Sequence, residues 1–259
     1  MKNQYFLKKQ SLNLAKKIVS SKKSKFFSTK PFKHLYIDEA LSNILLNDCL
    51  KHFPSESSNN WIKTNDKDVE IKYRSNWQSE FDIPNGIIDV VRILNSSLIL
   101  KAISETFNIK KLMPDPYFTG GGLNLTKKNG KLDVHVDGNY HDASGLNRRI
   151  NVILFLNKKW KKDWLGEFGL YDKTGKKCEK KIEPLFNRLL IFDTHDFSYH
   201  GLPEPVNFPK KYPRRSIILY YYTKESRPKN KTKFTKPHSA LWVSKNYKDK
   251  RGKSTRKFN

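Results

Sequence analysis

The segment Leu132–His141, LDVHVDGNYH, places two histidines and three acidic or amide side chains within ten residues of a lysine-rich chain. Residues two apart on a strand share a face, so His135 and Asp137 present an imidazole and a carboxylate side by side. Such a pair suits a metal site, and it also suits an ordinary polar strand. A second imidazole, His200 in SYHGLPEPV, follows the apolar run RLLIFD. Fourteen residues further on, PRRSIILYYYT puts Arg214 and Ser216 on one strand face. Two imidazoles and one carboxylate hold Fe(II) on one face of an octahedron and leave three positions open. A keto acid fills two of those positions and O2 the third. A guanidinium then grips the far carboxylate of the keto acid through a charge-assisted fork, and a serine hydroxyl adds a donor. On this reading His135, Asp137 and His200 are the metal ligands and catalytic centre, and Arg214 and Ser216 hold the cofactor.

These side chains need strands to carry them. After Pro114, YFTGGGLNL and KLDVHVD read as two strands joined in a hairpin at Asn129-Gly130. RINVILFLN, EFGLYD, CEKKIEP, RLLIFD and RSIILYYYT continue as short strands rich in β-branched and aromatic residues. Before Pro114 the spacing is helical. HLYIDEALSNILLNDCLKHFP offers Asp38 as N-cap, apolar Leu41, Ile44, Leu45 and Cys49, and Pro54 as the stop. SESSNNW reads as a loop, and NGIIDVVRILNSSLILKAISETFN as one broken helix or two short ones. Helices first and strands later imply an α+β chain, a helical layer supporting a β-sandwich or jelly roll. In residues 1–30, Leu7, Leu14 and Ile18 recur at helical spacing, so a weakly amphipathic helix either lies on a membrane surface, docks on the domain or frays. Trp242 in SALWVSKNY is too large and apolar for a free charged tail and is expected against the sheet.

Together these motifs resemble the Fe(II)/2-oxoglutarate dioxygenases, and within them the prolyl 4-hydroxylase-like branch, over nearly all of residues 32–224. Besides the triad and Arg-x-Ser, PDPYFTGGGLNL precedes the metal strand. GLNRRINVILFLNKKW is similar to the family strand ending in Tyr-Leu-Asn, and LGEFGLYD to its Gly-Gly-Glu-Leu strand. IEPLFNRLLIFDTHDFSYHGLPEPV is similar to its Pro…Gly…Phe…His-x-Val segment. Two positions depart: Leu165 stands where the family has its first Gly, and Phe155 where many members have a Tyr that reaches 2-oxoglutarate, a contact left to Ser216. The resemblance implies a double-stranded β-helix, the distorted jelly roll, supported by N-terminal helices. It implies Fe(II), 2-oxoglutarate and O2 as cofactors, with ascorbate as an accessory reductant. The implied reaction hydroxylates a C–H bond of a prolyl residue or a small metabolite and releases succinate and CO2. The family register favours Arg214 over Arg215 and His200 over His195. Asn124 either lines the 2-oxoglutarate pocket or is a plain strand residue. His141 and Asp142 read as rim residues, Arg148 and Arg149 as surface charges or, second, contacts for an anionic substrate, and Trp160 and Trp164 as core or rim. Gly120–Gly122 lack the Lys-Ser/Thr of a phosphate loop and mark a bulge or close backbone approach.

The formal charge of +26 over 259 residues is unevenly spread. Residues 1–37 carry +10 and 224–259 carry +11, which leaves about +5 for the stretch between. The expected organisation is a basic N-terminal extension at 1–31, a dioxygenase domain at 32–224 and a basic C-terminal extension at 225–259. Such extensions are solvated tails or meet nucleic acid or an anionic membrane surface by charge alone. That motivates two alternatives: a nucleic-acid-binding protein on a jelly-roll scaffold, and an oxidative nucleic-acid demethylase. The second is disfavoured because Tyr220 stands six residues after Arg214, where those enzymes carry a second arginine. A halogenase, which lacks the carboxylate ligand, is disfavoured by Asp137. No apolar run is long enough to span a bilayer, and no secretory signal pattern is present. Cys49 and Cys178 are isolated, which points to neither a zinc knuckle nor a disulfide framework but to a reducing, cytoplasmic setting.

Overall fold

In the strand Asn147–Phe155 every residue from Arg149 onward is buried, because the sheet that contains it is covered on both faces. The computed structural model describes residues 2–244. The helices are α1 (Gln4–Ser21), α2 (Asn43–Lys51), α3 (Asn85–Leu94) and α4 (Ser97–Phe107). The first six strands are β1 (Phe27–Ser28), β2 (His34–Ile37), β3 (Trp61–Asp66), β4 (Glu70–Ser75), β5 (Met113–Pro114) and β6 (Gly122–Thr126). Then come β7 (Lys131–Val136), β8 (Asn147–Phe155), β9 (Phe168–Tyr171) and β10 (Cys178–Ile182). The last are β11 (Leu189–Asp193), β12 (His200–Leu202), β13 (Arg214–Thr223) and β14 (Leu241–Trp242).

The strands form one antiparallel sheet in the order β1-β2-β11-β8-β13-β6-β4-β7-β12-β9-β10, with β3 on β4, β5 on β13 and β14 on β7. Alternation along the strands sorts the core in two. Val152, Leu154, Leu189, Ile191 and Leu219 face the four helices. Their neighbours Ile153, Phe155, Leu190 and Phe192 face inward and meet Leu132 of β7, Phe168 of β9 and Leu202 of β12. Residues from both ends of the strand order share that second core, so the sheet curls on itself: this is the double-stranded β-helix, with a helical layer on its outside.

Several local expectations are corrected. Asn129-Gly130 turns the chain, with Asn129 at φ 68°, but β6 and β7 do not pair. Both pair with β4, end to end along the edge opposite β3. That strand and its hairpin partner β3 lie in a stretch given no strand from the sequence. The stretch Asn85–Phe107 forms two helices. Asp38 does not cap α2: the Ser42 hydroxyl accepts from the Leu45 N–H, while Asp38 holds the Arg188 guanidinium through both oxygens, at 2.5 and 2.9 Å. The N-terminal extension is not separate from the domain. In α1, capped by Asn3, Leu14 and Ile18 are fully buried in the helical core, and the Ile18 carbonyl accepts from Thr106 in α4 at 3.3 Å.

The C-terminal segment is also docked. Asp196 accepts from Arg227, at 2.7 Å, and from the backbone N–H groups of Lys233 and Phe234. Lys231 reaches buried Asp193, and β14 pairs with β7. The part of the expected C-terminal extension beyond 244 lies outside the described residues.

Leu14→Ala should therefore destabilise the whole protein by about 2–5 kcal/mol, a fall in melting temperature of roughly 5–15 °C for a chain this long. Calorimetry checks this. An unchanged melting temperature would mean that α1 is not part of the cooperative fold.

Candidate active site

The site is assembled where β7 and β12 run side by side. His135 lies opposite His200 in that antiparallel pair, with imidazole centroids 4.5 Å apart. Asp137 follows one residue after β7 ends. The Nε2 of His135 is 3.6 Å from Asp137 Oδ1, and the Nε2 of His200 is 3.4 Å from Oδ2. One ligand atom from each of the three residues falls within 4.8 Å of the others, the spacing of groups that share one metal ion rather than of a surface cluster. Both imidazoles are oriented alike. His135 Nδ1 is 2.8 Å from the Asp133 carbonyl, and His200 Nδ1 is 2.8 Å from the Ser198 carbonyl. A carbonyl only accepts, so each Nδ1 carries the proton and each Nε2 lone pair is free to ligate.

The electrostatics suit a cation. Burial pushes the His200 imidazole down to about 4, against the pull of Asp137, so it is neutral at pH 7, as a metal ligand must be. Burial alone would raise the Asp137 carboxyl, but His200, His135 and Arg148 outweigh it and hold the group well below the usual carboxylate range. Asn151 donates to Asp137 Oδ2 at 2.5 Å, and Arg148 stands 3.5 Å from Oδ1. Phe168 stacks on His200 at 5.4 Å, and Trp242 covers His135 at 4.5 Å. Glu70, Lys72 and Arg74 of β4, Arg148, and Ile218 and Tyr220 of β13 wall a cavity of about 720 Å³ at the triad.

Arg214 and Ser216 extend the β13 face that carries Ile218 and Tyr220. They sit beyond the open cavity, in a buried corner under Phe155 and Gly166. Arg214 Nε donates to the Gly166 carbonyl at 2.9 Å, and its Cζ lies 5.2 Å from the Phe155 ring centre. Its Nη2 is buried without a partner, as are Ser216 Oγ and Asn124 Nδ2. Ser216 lies opposite Asn124 on β6 and Phe155 on β8, so the three orphan donors are neighbours. Burial pushes the Arg214 guanidinium down to about 10, and none of the described side chains makes an ion pair with it. Buried donors left unsatisfied this way are costly unless an acceptor arrives. A ligand carboxylate would meet that need. Arg215 faces the other side of β13, over Phe53 at 5.2 Å.

Other residues fall out as follows. His195 lies outside the triad, at the edge of the Phe32 ring. His141 is not a rim residue: it is buried and 3.0 Å from Asp115 through Nε2, while its Nδ1 accepts from the N–H groups of Ala143 and Ser144. Asp142 does line the cavity mouth. Arg148 and Arg149 are not surface charges. Arg148 packs its guanidinium 3.9 Å above the Tyr220 ring, and Arg149 is buried on the opposite face of β8. Trp160 and Trp164 pack against the inner core. At Gly122 (φ 108°) an added Cβ would lie 2.1 Å from Ser75 Oγ, which confirms a close backbone approach. Leu165, at the family glycine position, adopts φ 57° and ψ −155°, a conformation that costs a non-glycine residue. Asn151 and Trp242 had been given no role at the site. A lone amide inside the apolar run INVILFL is the available signal for Asn151.

Residues 121–222 match the model of the 2OG-Fe(II) oxygenase superfamily. Among solved structures, the chain is similar to a Trichoplax adhaerens prolyl hydroxylase in complex with a peptide fragment of the hypoxia inducible factor oxygen degradation domain. The two are 18% identical with a TM-score of 0.57, over 86% of this chain and 94% of that one. It is similar to a Pseudomonas putida prolyl-4-hydroxylase at 13% identity and TM-score 0.56, over 82% of this chain and 100% of that one. A third likeness is to a Phytophthora capsici prolyl 4-hydroxylase, at 15% identity and TM-score 0.53, over 83% of this chain and 64% of that one. No curated protein matches the sequence. The matched stretch carries His135, Asp137 and His200, so residues 121–222 are similar to the 2OG-Fe(II) oxygenase superfamily, and the likeness to the solved structures is one of fold.

A guanidinium kept buried for a ligand should be a liability without it. Arg214→Met is expected to raise the melting temperature of the ligand-free protein and to abolish the further rise that 2-oxoglutarate gives the wild type. A fall on Arg214→Met would mark the arginine as structural instead.

Proposed function

We propose that the protein hydroxylates a C–H bond of a prolyl residue in a polypeptide, with release of succinate and CO2. The observation that carries this is the His135–Asp137–His200 cluster at the wall of a cavity of about 720 Å³, with three unsatisfied buried donors further along the same strand face. A neighbour of the same fold is a prolyl hydroxylase that holds a peptide, which favours a polypeptide over a small metabolite. A nucleic-acid-binding scaffold has no use for such a cluster and is not favoured.

In this reading His135 and His200 hold the iron through Nε2 and Asp137 holds it through its carboxylate. Arg214, Ser216 and Asn124 receive a carboxylate of 2-oxoglutarate. Iron and cofactor, once bound, supply the oxidation, in which 2-oxoglutarate loses CO2 and the substrate gains one oxygen. The chain's own residues do the positioning. Asn151 fixes the Asp137 carboxylate with its amide donor. Arg148 and Tyr220 form a rigid side wall, and Phe168 shields His200 from water. Cys49 and Cys178 are free thiols, which supports a reducing setting. No helix among the described residues is long and apolar enough to cross a membrane.

The test is succinate formation from 2-oxoglutarate against a panel of proline-containing peptides, with the added oxygen located by mass spectrometry. Oxygen on a prolyl ring is expected, and oxygen found only on other residues or on small molecules would contradict the proposal. For the cofactor, Arg214→Ala should weaken 2-oxoglutarate binding by several hundredfold or more, since stranding one half of a buried charge pair costs ~3–5 kcal/mol. Arg215→Ala should change it little. Calorimetric titration measures both, and a larger effect at Arg215 would mean that the other face of β13 holds the cofactor.

A further inference from the structure

The cavity wall carries a charge that the reaction centre does not use. On β4, Glu70, Lys72 and Arg74 alternate toward the cavity. Lys72 is paired with Glu70 at 2.9 Å, and across the cavity Arg148 is answered by Asp137 at 3.5 Å. Among the described residues the Arg74 side chain has neither an ion pair nor a hydrogen bond. Its guanidinium stands over Gly120, where an added Cβ would lie 3.4 Å from Arg74 Nη1 and 3.5 Å from the Tyr220 ring. Tyr220 also carries the Arg148 guanidinium, 3.9 Å from its ring centre. Both guanidiniums thus stand near Tyr220 at the cavity wall, and the carboxylate there, Asp137, pairs with Arg148 alone. That carboxylate belongs to the metal cluster. The remaining acid at the cavity, Asp142, is exposed at the mouth.

We propose that Arg74 receives a carboxylate of the substrate, so that the polypeptide accepted here carries an acidic residue beside the one oxidised. The proposal rests on the polypeptide prolyl reading above. A planar guanidinium on a strand binds a carboxylate through two parallel hydrogen bonds. Arg74 is held for this by β4, whose backbone at that residue pairs with Ile62 on one side and Asn124 on the other. The stacked Arg148 and Tyr220 narrow the space beside it. The site thus selects by charge at a position separate from the oxidised carbon.

The experiment uses the full-length protein and three synthetic peptides with one central proline, whose neighbouring residue is Asp, Asn or Lys. A fourth peptide ends in a free carboxylate directly after the proline and tests a terminal carboxylate against a side-chain one. Binding is measured by fluorescence anisotropy and hydroxylation by mass spectrometry, in wild type, Arg74→Gln, Arg74→Lys and Arg74→Glu. The wild type should bind the Asp peptide on the order of tenfold more tightly than the Asn peptide. Arg74→Gln should remove that preference, Arg74→Lys keep part of it, and Arg74→Glu turn it toward the Lys peptide. Equal affinity for Asp and Asn peptides, or an Asp preference that survives Arg74→Gln, overturns the proposal. A preference for the terminal carboxylate alone overturns the side-chain assignment. If all prolyl peptides are hydroxylated equally, the prolyl reading stands and the Arg74 assignment fails. If none is hydroxylated but the acidic peptide binds through Arg74, the assignment stands and the prolyl reading fails. If neither hydroxylation nor Arg74-dependent binding is seen, both fail.

Discussion

The pairing of β12 with β7 that sets His200 opposite His135 is the constraint on which the rest of the site depends. Two imidazoles from segments sixty-five residues apart in sequence are brought within reach of one carboxylate by backbone hydrogen bonds, not by the side chains themselves. A one-residue slip in that register would turn His200 to the other face of the sheet. The register is fixed from outside the site. The alternate inward residues Leu132, Phe168, Phe192 and Leu202 fill the inner core, and the helical layer holds the other face of the central strands through Val152, Leu154 and Ile191. The active site is thus a consequence of how the sheet curls, and the curl is a consequence of two apolar faces needing two covers.

Polar groups inside this frame divide into satisfied and waiting. His135 and His200 are tied to carbonyls, Asp137 to Asn151, and His141 to Asp115. These bonds leave the groups one orientation each. Arg214, Ser216 and Asn124 each keep a buried atom without a partner. A fold tolerates few such atoms, and three side by side define where an anionic ligand is needed. The satisfied groups hold the His-Asp-His cluster rigid, and the unsatisfied ones are free to bind the ligand proposed for them.

Much of this was legible in the sequence, for reasons that differ by element. Strand periodicity and the His-x-Asp spacing are local, so the strands that carry His135 and Arg214-x-Ser216 could be read directly, and the short apolar strands after Pro114 pointed to a sandwich or jelly roll under a helical layer. What escaped was decided by distant partners. Asn129-Gly130 carries a correct turn signal, yet pairing across it is pre-empted by β4, whose mixed sequence EIKYRS gives no strong pattern of its own. Arg148 looks like a surface charge until Asp137 and Tyr220 are brought against it. The lysines of α1 mask how little it takes to dock a helix, since Leu14 and Ile18 suffice to bury one face. Trp242 was legible as a docking residue from its size, but its place against His135 follows from β14 pairing with β7.

The central claim is that one metal ion is held jointly by His135, Asp137 and His200. Anaerobic titration of Fe(II) into the full-length protein, with bound metal counted per chain, tests it most directly when run in parallel on His135→Ala, Asp137→Ala and His200→Ala. The account predicts one ion per chain in the wild type and loss of that binding in each variant, with all four proteins folded by circular dichroism. One ion per chain retained at wild-type affinity in any of the three variants would contradict it.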